Sequence, residues 1–108
     1  GHPALGSSWE GFVIEQLISL LPEHSGSYFY RTSAGAEIDF LFFDKKNNPV
    51  AVEVKYSMSP SPERGFWNAY EDLSCKRGFV VYPGKERYPI GKNVSALPVT
   101  DLRRIIEG

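Results

Sequence analysis

The chain has little of what would assign it to a function at once. Its 108 residues include one cysteine, Cys75, so no intrachain disulfide can form and no cysteine-rich metal site can be built. That usage is typical of a reducing compartment, and we expect a cytoplasmic protein. No apolar run approaches the roughly 20 residues of a membrane span, and we read no secretory signal. The opening Gly1-His2 fits either a tag remnant or native sequence.

An excess of charge of one sign is also missing. Twelve basic and 13 acidic residues give a net charge of -1, whereas a strongly basic chain would have pointed directly to nucleic acid. Any site for a polyanion must therefore be a local patch or include a bound cation. The phosphate-binding pattern Gly-x-x-x-x-Gly-Lys-Ser/Thr is absent, and so is any serine or cysteine nucleophile with a histidine partner.

What is present is the composition of a folded domain. Apolar residues make up 42% and aromatic residues 14%, which predicts one domain over residues 1–108. Hydrophobic periodicity predicts an α/β fold with elements in the order helix, three strands, helix, strand, and a strand–helix tail. The predicted helices cover 8–21, 61–75 and 101–107, and the predicted strands cover 28–32, 37–43, 50–56, 78–82, 87–90 and 94–97.

Local signals set the predicted helix starts. Ser7 and Glu10 have the spacing of a capping box, which predicts the start of the first helix. Ser61 is the predicted cap of the second helix, and Pro62 is in its first turn. Thr100 is the predicted cap of the last helix.

Two short strings place charge inside otherwise apolar strands: Glu37-Ile38-Asp39 and Glu53-Val54-Lys55. Residues two apart on a strand point to the same face, so each string puts two charged groups side by side. Burying charges is costly unless they are paired or bound to a metal.

A hairpin folded about Lys46 would join the two strings. Asp39 then falls opposite Glu53 and Glu37 opposite Lys55, with all four side chains on one face. The other face carries the predicted core: Ile38, Phe40, Phe42, Val50, Val52 and Val54.

Two interpretations of the charged face stay open. It is either an ordinary solvated face with a Glu37–Lys55 ion pair, or a covered face that holds a cation. Apolar residues that continue the face, such as Leu41, favour the covered face. The like-charged pair Asp39–Glu53 favours a cation between the two carboxylates, and Mg²⁺ suits oxygen ligands of this kind.

These residues resemble the PD-(D/E)XK nuclease superfamily, whose signature is an acid on the second core strand and acid–x–Lys on the third. Asp39 matches the first acid and Glu53-Val54-Lys55 the second motif, although Ile38 replaces the proline that names the superfamily. With Gly6–Val13 and Arg31-Thr32, the set more closely resembles a prokaryotic uncharacterised domain family found at the C-terminus of AAA-type ATPase-like proteins.

The resemblance implies a restriction-endonuclease-like core, in which helices flank a mixed sheet. It also implies a Mg²⁺- or Mn²⁺-dependent nuclease acting on DNA. Asp39 and Glu53 would bind the metal, and Glu10, which matches a glutamate of the first helix in many members, would assist unless it serves only the capping box. Lys55 would act on the attacking water or the transition-state charge, and Glu37 would orient Lys55 or join the ligands.

The expected partners are DNA, an N-terminal ATPase domain of a longer chain and, as small nucleases often dimerise, a second copy. Arg31 is the favoured phosphate contact among six basic residues near the hairpin. The others, more simply read as solvated surface charges, are Lys45, Lys46, Arg64, Lys76 and Arg77. The alternative function is a nuclease-fold module that no longer cleaves and serves an ATPase by binding nucleic acid or protein.

Overall fold

The computed structural model describes residues 3–107, so Gly1-His2 lie outside the described residues. In chain order the elements are α1 (Pro3–Leu20), β1 (Ser27–Arg31), β2 (Glu37–Phe43), β3 (Pro49–Val54), α2 (Arg64–Asp72), β4 (Arg77–Tyr82), β5 (Tyr88–Gly91), β6 (Val94–Pro98), a 3₁₀ turn (Val99–Asp101) and α3 (Arg103–Glu107). The predicted order of elements is confirmed, including the strands predicted over 87–90 and 94–97. No described helix has the length and apolar character to cross a membrane.

The six strands form one mixed sheet in the order β1-β2-β3-β4-β6-β5. The first three strands are antiparallel neighbours, β3, β4 and β6 run parallel, and β5 returns antiparallel to β6. Helix α2 makes the crossover that a parallel β3–β4 pair needs. The carboxyl ends of β3 and β4 therefore lie at the same edge of the sheet.

Helices cover both faces of the sheet, as predicted for the fold class. One apolar cluster joins α1 and α3 to the sheet through residues such as Val13, Leu17 and Ile105. A second cluster joins α2 to the opposite face through Phe66, Ala69 and neighbours. Both faces of β3 are consequently buried, so its charged residue Glu53 has no solvated face on which to lie.

The β2–β3 turn fixes the register of the hairpin. The Asp44 carboxylate accepts the backbone N–H groups of Lys46 and Asn48, both at 2.9 Å, and these bonds lower the pKa of Asp44, with burial opposing them. The pairs formed, from Phe43 with Pro49 to Phe40 with Val52, have the predicted register. Pairing ends there, one residue before Asp39 and Glu53 would meet.

A β-bulge in β2 alters the predicted faces. Tyr28 pairs with Leu41 and Tyr30 with Ile38, so Phe29 alone faces two residues of β2, Asp39 and Phe40. The extra residue reverses the alternation of side chains beyond it. Ile38 accordingly packs on the α2 side with Leu41, while Phe40 packs on the α1 side. The prediction that Ile38 and Phe40 share a face is wrong for this reason.

All three predicted helix caps are also wrong. Helix α1 begins at Pro3, so Ser7 and Glu10 lie inside it and form no capping box. Helix α2 begins at Arg64 with Glu63 as its cap residue, not Ser61. Thr100 lies within the 3₁₀ turn that precedes α3.

Candidate active site

A cleft of about 350 Å³ opens beside the bulge, between α1 and the sheet. Helix α1 contributes Glu10 to it, β1 contributes Phe29, and β2 contributes Asp39. Bulges commonly re-aim a side chain next to a functional site. Here the bulge directs the Asp39 carboxylate towards the end of β3.

Asp39 meets β3 through its side chain instead of through the backbone ladder. Its Oδ2 accepts the backbone N–H of Val54 at 3.0 Å. Burial raises the pKa of Asp39, the Val54 hydrogen bond lowers it, and the nearby charges of Glu37 and Glu10 raise it, so that the net direction is upward. The carboxyl group is thus in a site that penalises its charge in the absence of a cation.

Glu53 is in the most unfavourable position for a carboxylate. Its side chain is buried, with only 8% of the residue exposed, and its Oε2 has no hydrogen-bond partner among the described residues. Burial raises the pKa of Glu53 to about 7, because the opposing effect of Lys55 is too small and Asp39 adds a further increase. A buried acceptor without a partner is rare in folded proteins and asks for an explanation.

Lys55 lies just beyond β3 and is anchored at both ends. Its backbone N–H donates to the Val81 carbonyl at 2.9 Å, and its ammonium group donates to Glu63 at 2.6 Å. Burial lowers the pKa of Lys55, but the Glu63 hydrogen bond and the nearby carboxylates outweigh it, and the pKa is raised. The side chain therefore carries its positive charge at neutral pH.

Glu37 does not pair with Lys55, and that prediction is wrong. Glu37 lies across from Arg31 of β1, and its Oε1 accepts Nη2 of Arg31 at 2.8 Å and Nε at 3.0 Å. Because β2 and β3 separate beyond Phe40, Glu37 and Lys55 do not face each other, and each forms an ion pair with a different residue. The predicted cluster of four charges on one face is thus replaced by the pairs Arg31–Glu37 and Lys55–Glu63 around the two carboxylates.

Glu10 has the position that the metal-site interpretation requires. It is half-buried on α1, its Oε2 accepts the backbone N–H of Tyr56 at 3.2 Å, and it lines the cleft with Asp39. The helix-cap alternative for Glu10 is excluded because α1 begins seven residues earlier.

The acidic residues fit a cation only in part. No group of three histidine, cysteine, aspartate or glutamate side chains within residues 3–107 is arranged to hold a metal ion. Mg²⁺, however, is often bound through one or two carboxylates and several waters. The charge of Asp39 raises the pKa of Glu53, so the two carboxylates are close enough to interact. Of the two, only Asp39 lines the cleft, and the unpartnered Oε2 of Glu53 fits a two-carboxylate site reached from it.

Four of the six basic residues lie at the opposite end of the sheet. They surround a second cleft of about 340 Å³ beside the β2–β3 turn, and they are Lys45, Lys46, Lys76 and Arg77. Arg31 alone is on a strand next to the acidic cleft. These four basic residues and the candidate metal ligands are therefore on separate parts of the surface.

Sequence reasoning missed three residues of the site. Glu63 was included in the first turn of the helix predicted over 61–75, but it precedes α2 as the cap residue and reaches Lys55. Phe29 and Tyr56 were treated as ordinary strand residues, yet they are 60% and 40% exposed. An unbroken run of aromatic residues at Tyr28-Phe29-Tyr30 was the available signal, because alternation must expose one of its two faces.

Known proteins match the chain over nearly its whole length. A family model described as a domain of unknown function, DUF4143, matches residues 5–102. Two uncharacterized proteins, Rv2008c of Mycobacterium tuberculosis and Mb2031c of Mycobacterium bovis, are each 40% identical over 101 residues, which cover 94% of this chain and 22% of theirs. The chain thus spans about a fifth of the length of these relatives. No solved structure matches it significantly.

Proposed function

The chain belongs to the DUF4143 family, and from its own residues we propose that it is a metal-dependent nuclease of the PD-(D/E)XK type that hydrolyses DNA phosphodiester bonds. The observation that carries this proposal is the buried carboxylate of Glu53, whose Oε2 is unpartnered among the described residues. Such a group is destabilising unless a ligand completes it. A cytoplasmic location agrees with a DNA substrate.

Asp39 and Glu53 would hold Mg²⁺ or Mn²⁺, with Glu10 assisting from α1. The bound ion would neutralise charge on the phosphate and lower the pKa of a coordinated water. Two features of the chain itself suit this role: the Val54 N–H fixes one oxygen of Asp39, and the Oε2 of Glu53 has no partner among the described residues.

Lys55 would stabilise negative charge that develops on the phosphate. Its raised pKa keeps it protonated, so it is suited to donate hydrogen bonds and not to accept a proton from water. Its side chain is 25% exposed, whereas its partner Glu63 is 71% exposed. The ammonium group can therefore exchange a solvent-exposed carboxylate for a substrate oxygen.

Arg31 would contact phosphate beside the cleft, in agreement with its exposed side chain. Glu37 would hold Arg31 in place and not Lys55, since both donated bonds end on its Oε1.

A cleavage assay with a matched pair of variants tests the proposal. The wild-type chain should cut DNA when Mn²⁺ or Mg²⁺ is added, and Asp39→Asn should abolish cleavage, because the amide oxygen keeps the bond from Val54 while the charge is lost. Glu15→Gln, an exposed change on α1, should cleave as the wild type does. Absence of cleavage by the wild-type chain at millimolar Mn²⁺ would refute the proposed nuclease activity.

Two observations favour the alternative of an inactive module in an ATPase. The described residues hold no three-ligand acidic group, and the relatives are nearly five times as long as the matched segment. A nuclease-fold module that binds DNA or a neighbouring ATPase domain without cleaving would have these features. DNA binding that persists without cleavage in the same assay would support it.

A further inference from the structure

Phe29 places an exposed aromatic ring in the same cleft as the acidic residues. The residue is 60% exposed and lines the cleft with Glu10 and Asp39. Single exposed apolar residues are common on protein surfaces and need no explanation. What distinguishes Phe29 is its location opposite the bulge that positions Asp39.

A cation lies over the ring of Phe29. The guanidinium carbon of Arg31 lies 5.0 Å from the ring centroid, within the range of a cation–π contact. Arg31 is itself held by two hydrogen bonds to Glu37. An aromatic ring with a guanidinium group over it thus lines the acidic cleft.

A second exposed ring lies on the other side of Glu10. Tyr56 is 40% exposed, its backbone N–H donates to Glu10, and its ring lies 5.4 Å from that of Trp9. Glu10 therefore connects two aromatic surfaces, Phe29 within the cleft and Tyr56 beyond the end of β3.

We propose that the substrate of the cleft is single-stranded DNA, and that an unpaired base next to the scissile phosphate stacks on Phe29. Within a duplex each base is already stacked on its neighbours, so only a single strand offers a free base face to a protein ring. Arg31 would contact the phosphate beside that base. The proposal rests on the proposed nuclease function and adds the substrate class to it.

Binding measured without cleavage tests the proposal. A labelled 15-residue DNA is titrated with the protein by fluorescence anisotropy, as a single strand and as a duplex of the same sequence, with Ca²⁺ as the divalent ion. The wild-type protein should bind the single strand at least tenfold more tightly. Loss of one stacked base should weaken binding about 5- to 150-fold, so we expect Phe29→Ala to weaken single-strand binding by at least fivefold.

Two controls separate stacking from other effects. Phe29→Tyr keeps the ring and should bind as the wild type does, and Tyr28→Ala removes an equally exposed ring from the other face of β1 and should change nothing. A 2-aminopurine base in the strand should lose fluorescence on binding to the wild type and to Phe29→Tyr, but not to Phe29→Ala, because stacking on an aromatic ring quenches it.

The outcomes also separate this proposal from the nuclease function. Equal affinity for duplex and single strand, wild-type affinity in Phe29→Ala, or tighter binding to RNA of the same sequence would overturn the proposal. If the protein cleaves duplex DNA in Mn²⁺ without a preference for single strands, the proposed nuclease function is supported and the proposed single-stranded substrate is wrong. If the protein binds single strands through Phe29 but does not cleave them, single-strand recognition is supported and the proposed nuclease function is wrong.

Discussion

At the scale of single residues, Glu53 makes the fold sensitive to pH. Its pKa rises from an ordinary 4.5 to about 7 because of burial. Below pH 4.5 the folded and unfolded chains both hold this proton. Between pH 4.5 and 7 the unfolded chain loses the proton first, so the free energy of unfolding falls as pH rises, by roughly 3 kcal/mol in total.

Glu53→Gln should remove that dependence. The amide stays neutral at every pH, so we expect the variant to be more stable than the wild type at pH 8 and equal to it near pH 4. Urea unfolding at several pH values between 4 and 8 measures this. Glu71→Gln, an exposed change on α2, should keep the wild-type slope. An unchanged slope in Glu53→Gln would show that Glu53 is not the buried group responsible.

The Lys55–Glu63 pair gives a second test at this scale. Lys55→Met should lower the cleavage rate by at least about 100-fold, the usual cost of losing one group that stabilises transition-state charge. The unfolding temperature should change little, because exposed ion pairs contribute little to stability. Glu63→Gln should retain cleavage, because loss of the Glu63 charge leaves the ammonium group of Lys55 free to contact the substrate. A slow Glu63→Gln variant would instead give Glu63 a part in the chemistry.

At the scale of elements, much of the site followed from the sequence. Alternating polar and apolar residues gave the bounds of β2 and the register of the hairpin, because the turn chemistry of Asp44 and Asn48 is local. The resemblance placed Glu10 near the acidic strands. These features depend on short-range patterns or on motif matching.

The bulge and the ion pairs did not follow from the sequence. A bulge at Asp39–Phe40 breaks the strict alternation that the hairpin argument assumed, and no turn residue or glycine marks it. Once β2 and β3 separate, Lys55 pairs with Glu63 because of where α2 packs. Glu37 pairs with Arg31 because of where β1 packs. Such long-range choices have no local signal.

The contact between α2 and the β1–β2 turn gives a test of the packing. A Cβ atom at Gly65 would overlap the carbonyl oxygen of Gly35, so Gly65→Ala should destabilise the fold by about 1–3 kcal/mol. Gly11→Ala on α1 meets no atom within 4 Å and should stabilise by about 0.5–1 kcal/mol through helix propensity. Chemical denaturation of both variants checks the pair. Equal effects would mean that α2 does not approach the turn this closely.

At the scale of the whole molecule, the two ends of the sheet differ in charge. The end that carries Asp39 and Glu53 is acidic, and the end at the β2–β3 turn is lined by Lys45, Lys46, Lys76 and Arg77. With a net charge of only -1, the chain has no overall attraction for DNA. Binding at the acidic cleft would therefore depend on a cation there, which makes metal affinity the central quantity.

A calorimetric titration of Mn²⁺ into the wild-type chain and into Asp39→Asn tests the proposed metal site. We expect one bound ion in the wild type, with tighter binding at pH 8 than at pH 6 because Glu53 must lose its proton to act as a ligand. Asp39→Asn should bind at least tenfold more weakly, while Glu15→Gln binds as the wild type does. No heat of binding at millimolar Mn²⁺, or equal affinity in the wild type and Asp39→Asn, would show that these carboxylates do not form a metal site.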